Sequence, residues 1–275
     1  MSRALCELWA YRELVRELVV RDLKLRYKNS ALGFLWSLLN PLLLMVVFTV
    51  VFTIMVPNAA VADFPVFVLC GLLPWNFFSA SVTTSVNSVV EQSHLIKKVY
   101  FPREIVPISS VLANGVNFGL SLIVLLAAVL ISGRPILWVI LFMPMIMIVQ
   151  LLFTLGVAFV LSTINVYYRD TSVIMDVVMQ AWFFVTPVFY PIDILPEWTN
   201  LIGLELPVRR LVYIVNPLAS IVANYRSVLY GQVDGGPPGA PGWDFVTRTA
   251  LTALLVCLLG YAFFKRHAVR FAEEL

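Results

Sequence analysis

The sequence predicts an all-α integral membrane protein that crosses the bilayer six times. Three observations lead to this fold class. Hydrophobic residues make up 60% of the 275 residues and charged residues only 13%, with a mean hydropathy of +0.90, whereas soluble domains carry about 25% charged residues. Long stretches contain no charge at all, and basic residues gather on one side of the predicted membrane. Together these features exclude an ordinary soluble domain.

Four charge-free stretches are each long enough for one transmembrane helix, which needs ~20 apolar residues. They contain 34 residues after Lys28, 27 after Asp63, 29 after Glu104 and 34 after Arg134. We therefore expect the first four spans at about residues 32–56, 64–90, 105–132 and 136–163.

The rest of the chain predicts two more spans with an external segment between them. Only 16 uncharged residues separate Asp176 from Asp193, so the fifth span is expected to start before Asp176, at about residues 173–190. The sixth covers about residues 245–264. The stretch in between is interrupted by Asn216-Pro217 and is short for a crossing, which favours a re-entrant segment within residues 191–228.

The basic residues favour six spans with both termini in the cytoplasm. This arrangement places 14 of the 19 basic residues on the cytoplasmic side, in keeping with the positive-inside rule. A seventh span would move one basic terminus across the membrane. Residues 266–275 are therefore expected to form a cytoplasmic tail.

Residues 1–30 predict an amphipathic helix that lies along the cytoplasmic membrane surface. Over residues 8–28, apolar side chains share one arc and cations the other, with Asp22 intruding on the apolar arc. Such a helix sets its cations against anionic headgroups. The cations that directly precede the first span either fix topology alone or also steer an anionic substrate.

The sequence contains no energy source of its own and no recognisable catalytic motif. It has no Gly-Lys pair, hence no Walker A loop, and no HExxH, CxxC or GxSxG spacing. Ion-coupled carriers commonly place acids or histidines at mid-membrane, but His94 and His267 fall in cytoplasmic segments. The three cysteines indicate no disulfide framework, and the net charge of +3 gives no indication of nucleic acid binding. Energy for transport would thus come from another subunit.

A cytoplasmic loop between the second and third spans is the natural place to receive that energy. In EQSHLIKKVYFPREIVPIS (residues 91–109), apolar residues recur at near-helical spacing beside Lys97, Lys98 and Arg103, and Pro102 ends the pattern. A short amphipathic helix at about residues 93–103 could dock in a groove of a partner. The alternative is a plain loop lying on lipid headgroups.

Four sequence stretches, taken in order, carry a family resemblance. They are RDLKLRYKNSALGFLWSLLNP, HLIKKVYFPREIVP, INVYYRDTSVIMDVVMQAWFFVTPVFYP and YIVNPLASIVANYRSVLYG. Together they resemble the permease subunit of bacterial polysaccharide ABC exporters, a group that includes the Wzm-type O-antigen exporter and the teichoic-acid exporter. The resemblance covers about residues 20–231. Two stretches depart from it, residues 200–211 and 235–242, and both bear on the shape of the exit.

The resemblance implies a homodimer of six-span permeases in the bacterial cytoplasmic membrane, bound to two copies of a separate nucleotide-binding subunit. ATP and Mg²⁺ would bind that subunit, so this chain would be no enzyme and would bind neither cofactor nor metal. The cargo would be a lipid-linked polysaccharide leaving the cytoplasm. The segment at about residues 191–228 would gate its exit.

The resemblance also implies roles for two sets of residues. The coupling helix, seated in the ATPase, would comprise His94, Leu95, Ile96, Lys97, Lys98, Val99, Tyr100, Phe101, Pro102 and Arg103. The access point for the cargo would comprise Arg21, Lys24, Arg26, Tyr27 and Lys28.

A conduit for sugars needs aromatic faces and scattered polar groups, because sugars present apolar C–H faces and hydroxyl edges. The inner half of the second span is unusually rich in serine and threonine. Lipid-facing aromatic belts and polar contacts between helices remain alternative explanations. The predicted conduit residues are Phe34, Trp36, Trp75, Ser81, Thr84, Ser85, Trp182, Phe183, Phe189 and Tyr190.

Two other functions remain open at this point. An ABC exporter of drugs or small amphiphiles would share the architecture but carry a different cargo. A membrane enzyme acting on lipid-linked sugars would use outer charged residues, which are few and scattered: Asp193, Glu197, Glu205, Arg209 and Arg210.

Overall fold

The computed structural model describes residues 9–28, 30, 32–51, 61, 63–99, 101–133, 138–201, 204–233 and 236–275. Within these ranges the chain is mostly helical. The helices, in chain order, are α1 (Arg12–Tyr27), α2 (Trp36–Val50), α3 (Phe64–Glu91), α4 (Ser93–Lys98), α5 (Ile105–Ile131), α6 (Met143–Tyr167), α7 (Thr171–Val185), α8 (Val208–Val215), α9 (Pro217–Leu229), α10 (Trp243–Ala268) and α11 (Phe271–Glu274). Short 3₁₀ helices cover Gly33–Leu35, Trp138–Phe142 and Ile192–Ile194.

Four helical segments in the described ranges are long and apolar enough to cross a membrane. They are α3, α5, the segment Ile140–Tyr167 that includes α6, and α10. Helix α3 is the central one, since it packs against α5, α6, α7 and α9. Its interior proline, Pro74, offers its carbonyl to the side-chain amide of Gln150 on α6 at 2.8 Å, which joins these two helices by a buried polar contact.

Helices α6 and α10 approach each other closely through two glycines. A Cβ added to Gly156 would lie 2.6 Å from the carbonyl carbon of Val256, and one added to Gly260 would collide with the carbonyl oxygen of Gly156. Small residues permit this close contact between helix backbones in membranes. The pair fixes the position of the last long helix.

Helix α7 is shorter than the span predicted for it. It has 15 residues, about 22 Å at 1.5 Å per residue. Helix α7 ends at Val185, before the expected residue 190, because Pro187 disfavours helical backbone in Thr186, which is extended. Residues 52–60, where the first span was expected to end, lie outside the described ranges.

The segment expected to be external contains a β-hairpin that the all-α prediction did not include. Strands β1 (Trp198–Leu201) and β2 (Leu204–Pro207) pair antiparallel, with Trp198 opposite Pro207. The strands include residues 200–201 and 204–207 of the stretch 200–211, which departs from the family resemblance. Helices α8 and α9 follow it and meet at Asn216, whose side chain caps α9.

Two apolar clusters hold the described parts of the chain together. The larger one fills the space around α3. The smaller one, here called the terminal cluster, joins α1, α3, α4, α5, α6, α10 and α11. It consists of Leu18, Val89, Ile96, Phe101, Ile105, Val106, Phe159, Val166, Phe264 and Phe271.

Candidate functional site

Helix α1 is fastened to α5 by two polar contacts near its carboxyl end. The Arg26 guanidinium donates to Asn114 Oδ1 at 2.9 Å, and the Tyr27 hydroxyl donates to Asn117 Oδ1 at 3.0 Å. Asn114 and Asn117 are three residues apart, so they lie on the same face of α5. The two contacts place the basic end of α1 over the polar face of a long apolar helix.

A cavity of about 470 Å³ lies next to these contacts, between α2, α3 and α5. Side-chain amides and hydroxyls border it together with the ring of Trp36, which is 42% exposed. Asn117 Nδ2 is buried and has no hydrogen-bond partner among the described residues, so it can donate to a molecule in the cavity. The polar and basic lining residues are Arg26, Tyr27, Ser37, Asn40, Asn76, Asn114, Asn117 and Ser121.

A second cleft of about 540 Å³ continues along α3 towards its carboxyl end. Arg21 and Arg26 border it on one side, and Thr83, Thr84 and Asn87 on the other. Arg21 is paired with Asp22 at 3.0 Å. The cleft and the cavity share Arg26 and Asn114, so polar groups line both openings where they meet.

The five predicted access residues border three different openings beside α1. Arg26 and Tyr27 border the cavity, Arg21 borders the cleft, and Lys24 and Lys28 border a shallower groove farther out. The structure thus brings three of the five to polar openings in the bundle. The two lysines face outward.

The predicted conduit residues of α3 point in different directions. Thr84 is exposed at the cleft and accepts a hydrogen bond from Asn114 Nδ2 at 2.9 Å. Ser81 and Ser85 are fully buried, and their hydroxyls have no hydrogen-bond partner among the described residues. Trp75 is also buried, 5.3 Å from Phe183 between ring centroids. Only Thr84 of these four lines a described opening.

The aromatic conduit candidates that follow Trp75 lie at the other end of the bundle from the cavity and are here called the outer aromatic group: Trp182, Phe183, Phe189 and Tyr190. Phe183 contacts Phe189 at 5.2 Å, and Trp182 donates to Asn216 Oδ1 at 3.0 Å. The Tyr190 hydroxyl donates to the carbonyl of Phe184 at 3.0 Å. Trp36 lies apart from them at the cavity, and the side chain of Phe34 lies outside the described part. The predicted set is therefore divided between two places.

Helix α4, within the predicted coupling segment, presents two different faces. Ile96 and Phe101 are buried in the terminal cluster. His94, Lys97, Lys98 and Val99 are exposed, while Leu95, Pro102 and Arg103 are half-buried. Tyr100 lies outside the described residues. The buried side chains hold the segment in place, and among the described residues the exposed ones are the most accessible to another subunit.

The asparagines around the cavity are the site residues that sequence reasoning missed. Asn40, Asn76, Asn114 and Asn117 all lie within predicted spans. A signal was present, because uncharged amides in a span still need hydrogen-bond partners and mark polar surfaces. These asparagines carry no charge, so the charge pattern that predicts the spans does not distinguish them.

Three of the five charged residues considered for a membrane enzyme, Asp193, Glu197 and Arg209, contact one another through Arg209. Arg209 lies 3.3 Å from Asp193 and 3.4 Å from Glu197, and it donates to the backbone carbonyls of Asp193 and Leu195 at 2.7 Å. Glu205 and Arg210 are exposed. Among the described residues, no group of three or more His, Cys, Asp or Glu side chains could hold a metal ion.

The sequence of the chain matches a family model described as ABC-2 type transporter over residues 13–229. The chain belongs to this family. The match spans α1 to α9, so both the cavity and the external segment fall inside it.

Similar proteins of this ABC-2 chain carry names that refer to polysaccharides. The O-antigen export system permease protein RfbA of Myxococcus xanthus is 37% identical over 277 residues, covering 100% of both chains. A protein of the same name from Klebsiella pneumoniae is 32% identical over 93% of this chain and 92% of its own length. The polysialic acid transport protein KpsM of Escherichia coli is 22% identical over 81% and 83%.

Proposed function

We propose that this chain is the permease subunit of an ATP-driven ABC exporter. Its cargo is a lipid-linked polysaccharide, an O-antigen or a similar cell-envelope glycan, which crosses the inner membrane of a bacterium from the cytoplasm. Family membership and the names of the relatives support this class. The structural observation that carries the proposal is the polar cavity beneath α1.

The chemistry of the cavity suits a glycan attached to a phosphate-bearing lipid. Carboxamides and hydroxyls pair with sugar hydroxyls, an aromatic ring such as Trp36 packs on sugar C–H faces, and a guanidinium pairs well with phosphate. The same groups facing lipid tails would remain without hydrogen bonds, at a cost of several kcal/mol each in order of magnitude. The cavity is therefore the place where the head of the cargo enters the bundle.

We place six spans in the membrane, formed by α2, α3, α5, α6, α7 and α10, with both termini in the cytoplasm. Local bilayer thinning and flanking interfacial residues accommodate the 15-residue α7. Helices α1, α4 and α11 then lie on the cytoplasmic side. The hairpin, α8 and α9 lie outside, which agrees with the asymmetry of the basic residues.

The functional unit is a homodimer with two copies of a nucleotide-binding subunit. One observation that supports the dimer is on α7, where Asp176 and Gln180 are exposed among the exposed apolar residues Val173 and Val177. A carboxylate facing lipid is costly, so this face borders a second protomer or a water-filled path between protomers. The exposed side chains of α4 contact the nucleotide-binding subunit, which holds ATP and Mg²⁺.

The cargo is tested by measuring ATP hydrolysis of the purified complex with different added molecules. Lipid-linked glycan is expected to stimulate hydrolysis, whereas small amphiphiles are not. Stimulation by small amphiphiles alone would instead identify an exporter of drugs or small lipids. Chemical alteration of the glycan by the purified chain would point to a membrane enzyme.

A further inference from the structure

A buried arginine lies at the external end of the bundle. Arg226 on α9 is only 8% exposed. It donates from Nη1 to the carbonyl of Pro187 at 2.6 Å, from Nη2 to the carbonyl of Val188, and from Nε to the carbonyl of Phe67 at 3.4 Å. Its Cζ lies 3.7 Å from the ring centroid of Phe67. One side chain thus joins α9, α3 and the turn that follows α7.

The charge of Arg226 is balanced by carbonyl groups, since no carboxylate among the described residues forms an ion pair with it. Asp193 borders the same external cavity but is paired with Arg209 at 3.3 Å. Burial raises the pKa of the nearby Tyr213 hydroxyl, so that group stays neutral. A guanidinium does not deprotonate in proteins, and burying it is costly unless its partners are well placed. The buried Arg226 therefore has a specific role in holding these backbone carbonyls.

A second side chain of α9 holds the same turn. Asn216 donates from Nδ2 to the Thr186 hydroxyl at 2.9 Å and accepts from Trp182 Nε1 at 3.0 Å. Thr186 and Val188 are fully buried. Asn216 caps the start of α9, and Arg226 lies in the last turn of α9. Both ends of α9 are therefore hydrogen-bonded to the segment Trp182–Val188.

Helix α3 leaves room for this contact at a glycine. A Cβ added to Gly71 would lie 2.8 Å from Arg226 Nη2 and 3.1 Å from the carbonyl of Val188. Even a methyl group at this position would therefore press on the guanidinium. The arrangement of Gly71, Arg226 and the turn is called the outer clasp below.

The outer clasp satisfies backbone groups that the break after α7 exposes. Proline at position 187 interrupts the helix, and carbonyls beyond a helix end need partners inside a membrane protein. The turn also connects Phe183 with Phe189, which lie in the outer aromatic group. Moving the turn would therefore move the aromatic residues.

We propose that Arg226 is a positioning residue that keeps the exit of the exporter sealed while no cargo passes. By fastening the Thr186–Val188 turn to α3 and α9, it holds the outer aromatic group across the path. The external cavity of about 620 Å³ beside Arg226 gives the turn space to move into when the clasp opens. This inference rests on the proposed function, because it assumes a path that ends near this turn.

The test is the leak of potassium ions through the idle complex. The permease and its nucleotide-binding partner are reconstituted in liposomes without ATP or glycan, and potassium efflux is followed with a selective electrode. Arg226→Gln is expected to raise the efflux at least tenfold above the unchanged complex. Arg226→Lys should give an intermediate rise, because one ammonium group does not reproduce the fork that bonds two successive carbonyls.

Arg209→Gln is the matched control. It removes a guanidinium on the same side that also bonds two backbone carbonyls, but those belong to Asp193 and Leu195, outside the Thr186–Val188 turn. Its efflux should equal that of the unchanged complex. Size-exclusion chromatography and ATP hydrolysis show for every variant that the complex is assembled.

Gly71→Ala tests the same contact if the complex with Arg226→Gln does not assemble. The added methyl group displaces the guanidinium while the charge stays, and efflux should again rise. Unchanged efflux from assembled Arg226→Gln or Gly71→Ala complexes would overturn the proposal. The efflux assay contains no glycan, so its result does not depend on glycan transport. If a separate assay showed that the unchanged complex does not move glycan, only the proposed function would be contradicted.

Discussion

At the scale of single residues, the cavity depends on a few polar side chains in apolar helices. Asn114 connects three elements, since it accepts from Arg26 and donates to Thr84 Oγ1 at 2.9 Å and to the Ser110 carbonyl at 3.0 Å. Asn117 accepts from Tyr27 and keeps one free donor group. Asn114 and Asn117 thus both position α1 and make the cavity polar.

Arg26→Met should slow export while leaving the membrane insertion of the chain unchanged. The variant loses the hydrogen bond to Asn114, and one such bond from an exposed cation contributes roughly 1 kcal/mol, about fivefold in rate. The measurement is the rate at which glycan reaches the outer face, per assembled complex. Arg16→Met is the control, because Arg16 is an exposed cation on the same helix that does not border the cavity. Equal rates for both variants would contradict a role for the contact.

Sequence patterns could indicate the polar half of α3 but not the direction of each side chain. Ser81 and Ser85 face the interior of the chain, and Thr84 faces the cleft. Hydroxyls occur on both sides of this helix, so periodicity alone could not separate them. The grouping of Arg26 with Asn114 could not be predicted either, because it depends on how α1 packs on α5.

At the scale of elements, charged residues predicted where the long helices begin and end. Helix α3 follows Asp63 and ends at Glu91, and α5 follows Glu104. These boundaries reflect a strong preference of charges for water. The β-hairpin was not predicted, because its four-residue strands are too short to show a clear alternation of polar and apolar residues.

Gly260→Ala should destabilise the pairing of α6 with α10. The added methyl group meets the backbone of Gly156, and overpacking of this kind costs roughly 1–3 kcal/mol. Thermal unfolding in detergent should therefore begin at a lower temperature. In the matched variant Gly119→Ala, no atom lies within 4 Å of the new Cβ, so no loss is expected. A melting temperature unchanged by Gly260→Ala would refute the close approach.

Reversing the exposed charges of α4 should separate the permease from its ATPase. Lys97→Glu combined with Lys98→Glu changes side chains that point outward, so the fold should be kept while co-purification of the nucleotide-binding subunit is lost. Charged substitution of Phe101 is a poorer test, because this residue is buried in the terminal cluster and the charge would disrupt packing.

Arg12→Glu combined with Arg16→Glu is the control for the α4 variant. It makes the same change in net charge on the exposed face of α1, so effects on topology are matched. Co-purification should be retained. Loss of the ATPase in both double variants would show that the charge itself, and not the position on α4, is responsible.

At the scale of the whole molecule, the terminal cluster connects the place where energy is expected to arrive with the place where cargo is expected to enter. Ile96 of α4 and Leu18 of α1 belong to this one cluster, and α1 carries the Arg26 and Tyr27 contacts above the cavity. A displacement of α4 would therefore be transmitted to α1 through packed side chains, which resist compression. In the proposed function, the chain is thus a passive gate driven by the nucleotide-binding subunit.

The most direct test of this account is glycan movement by the purified chain with and without its partner. Proteoliposomes are loaded with lipid-linked glycan on one face, and its appearance on the other face is followed with an impermeant glycan-binding reagent. The account predicts movement only when the nucleotide-binding subunit and ATP with Mg²⁺ are both present. Vectorial movement by the chain alone would contradict it.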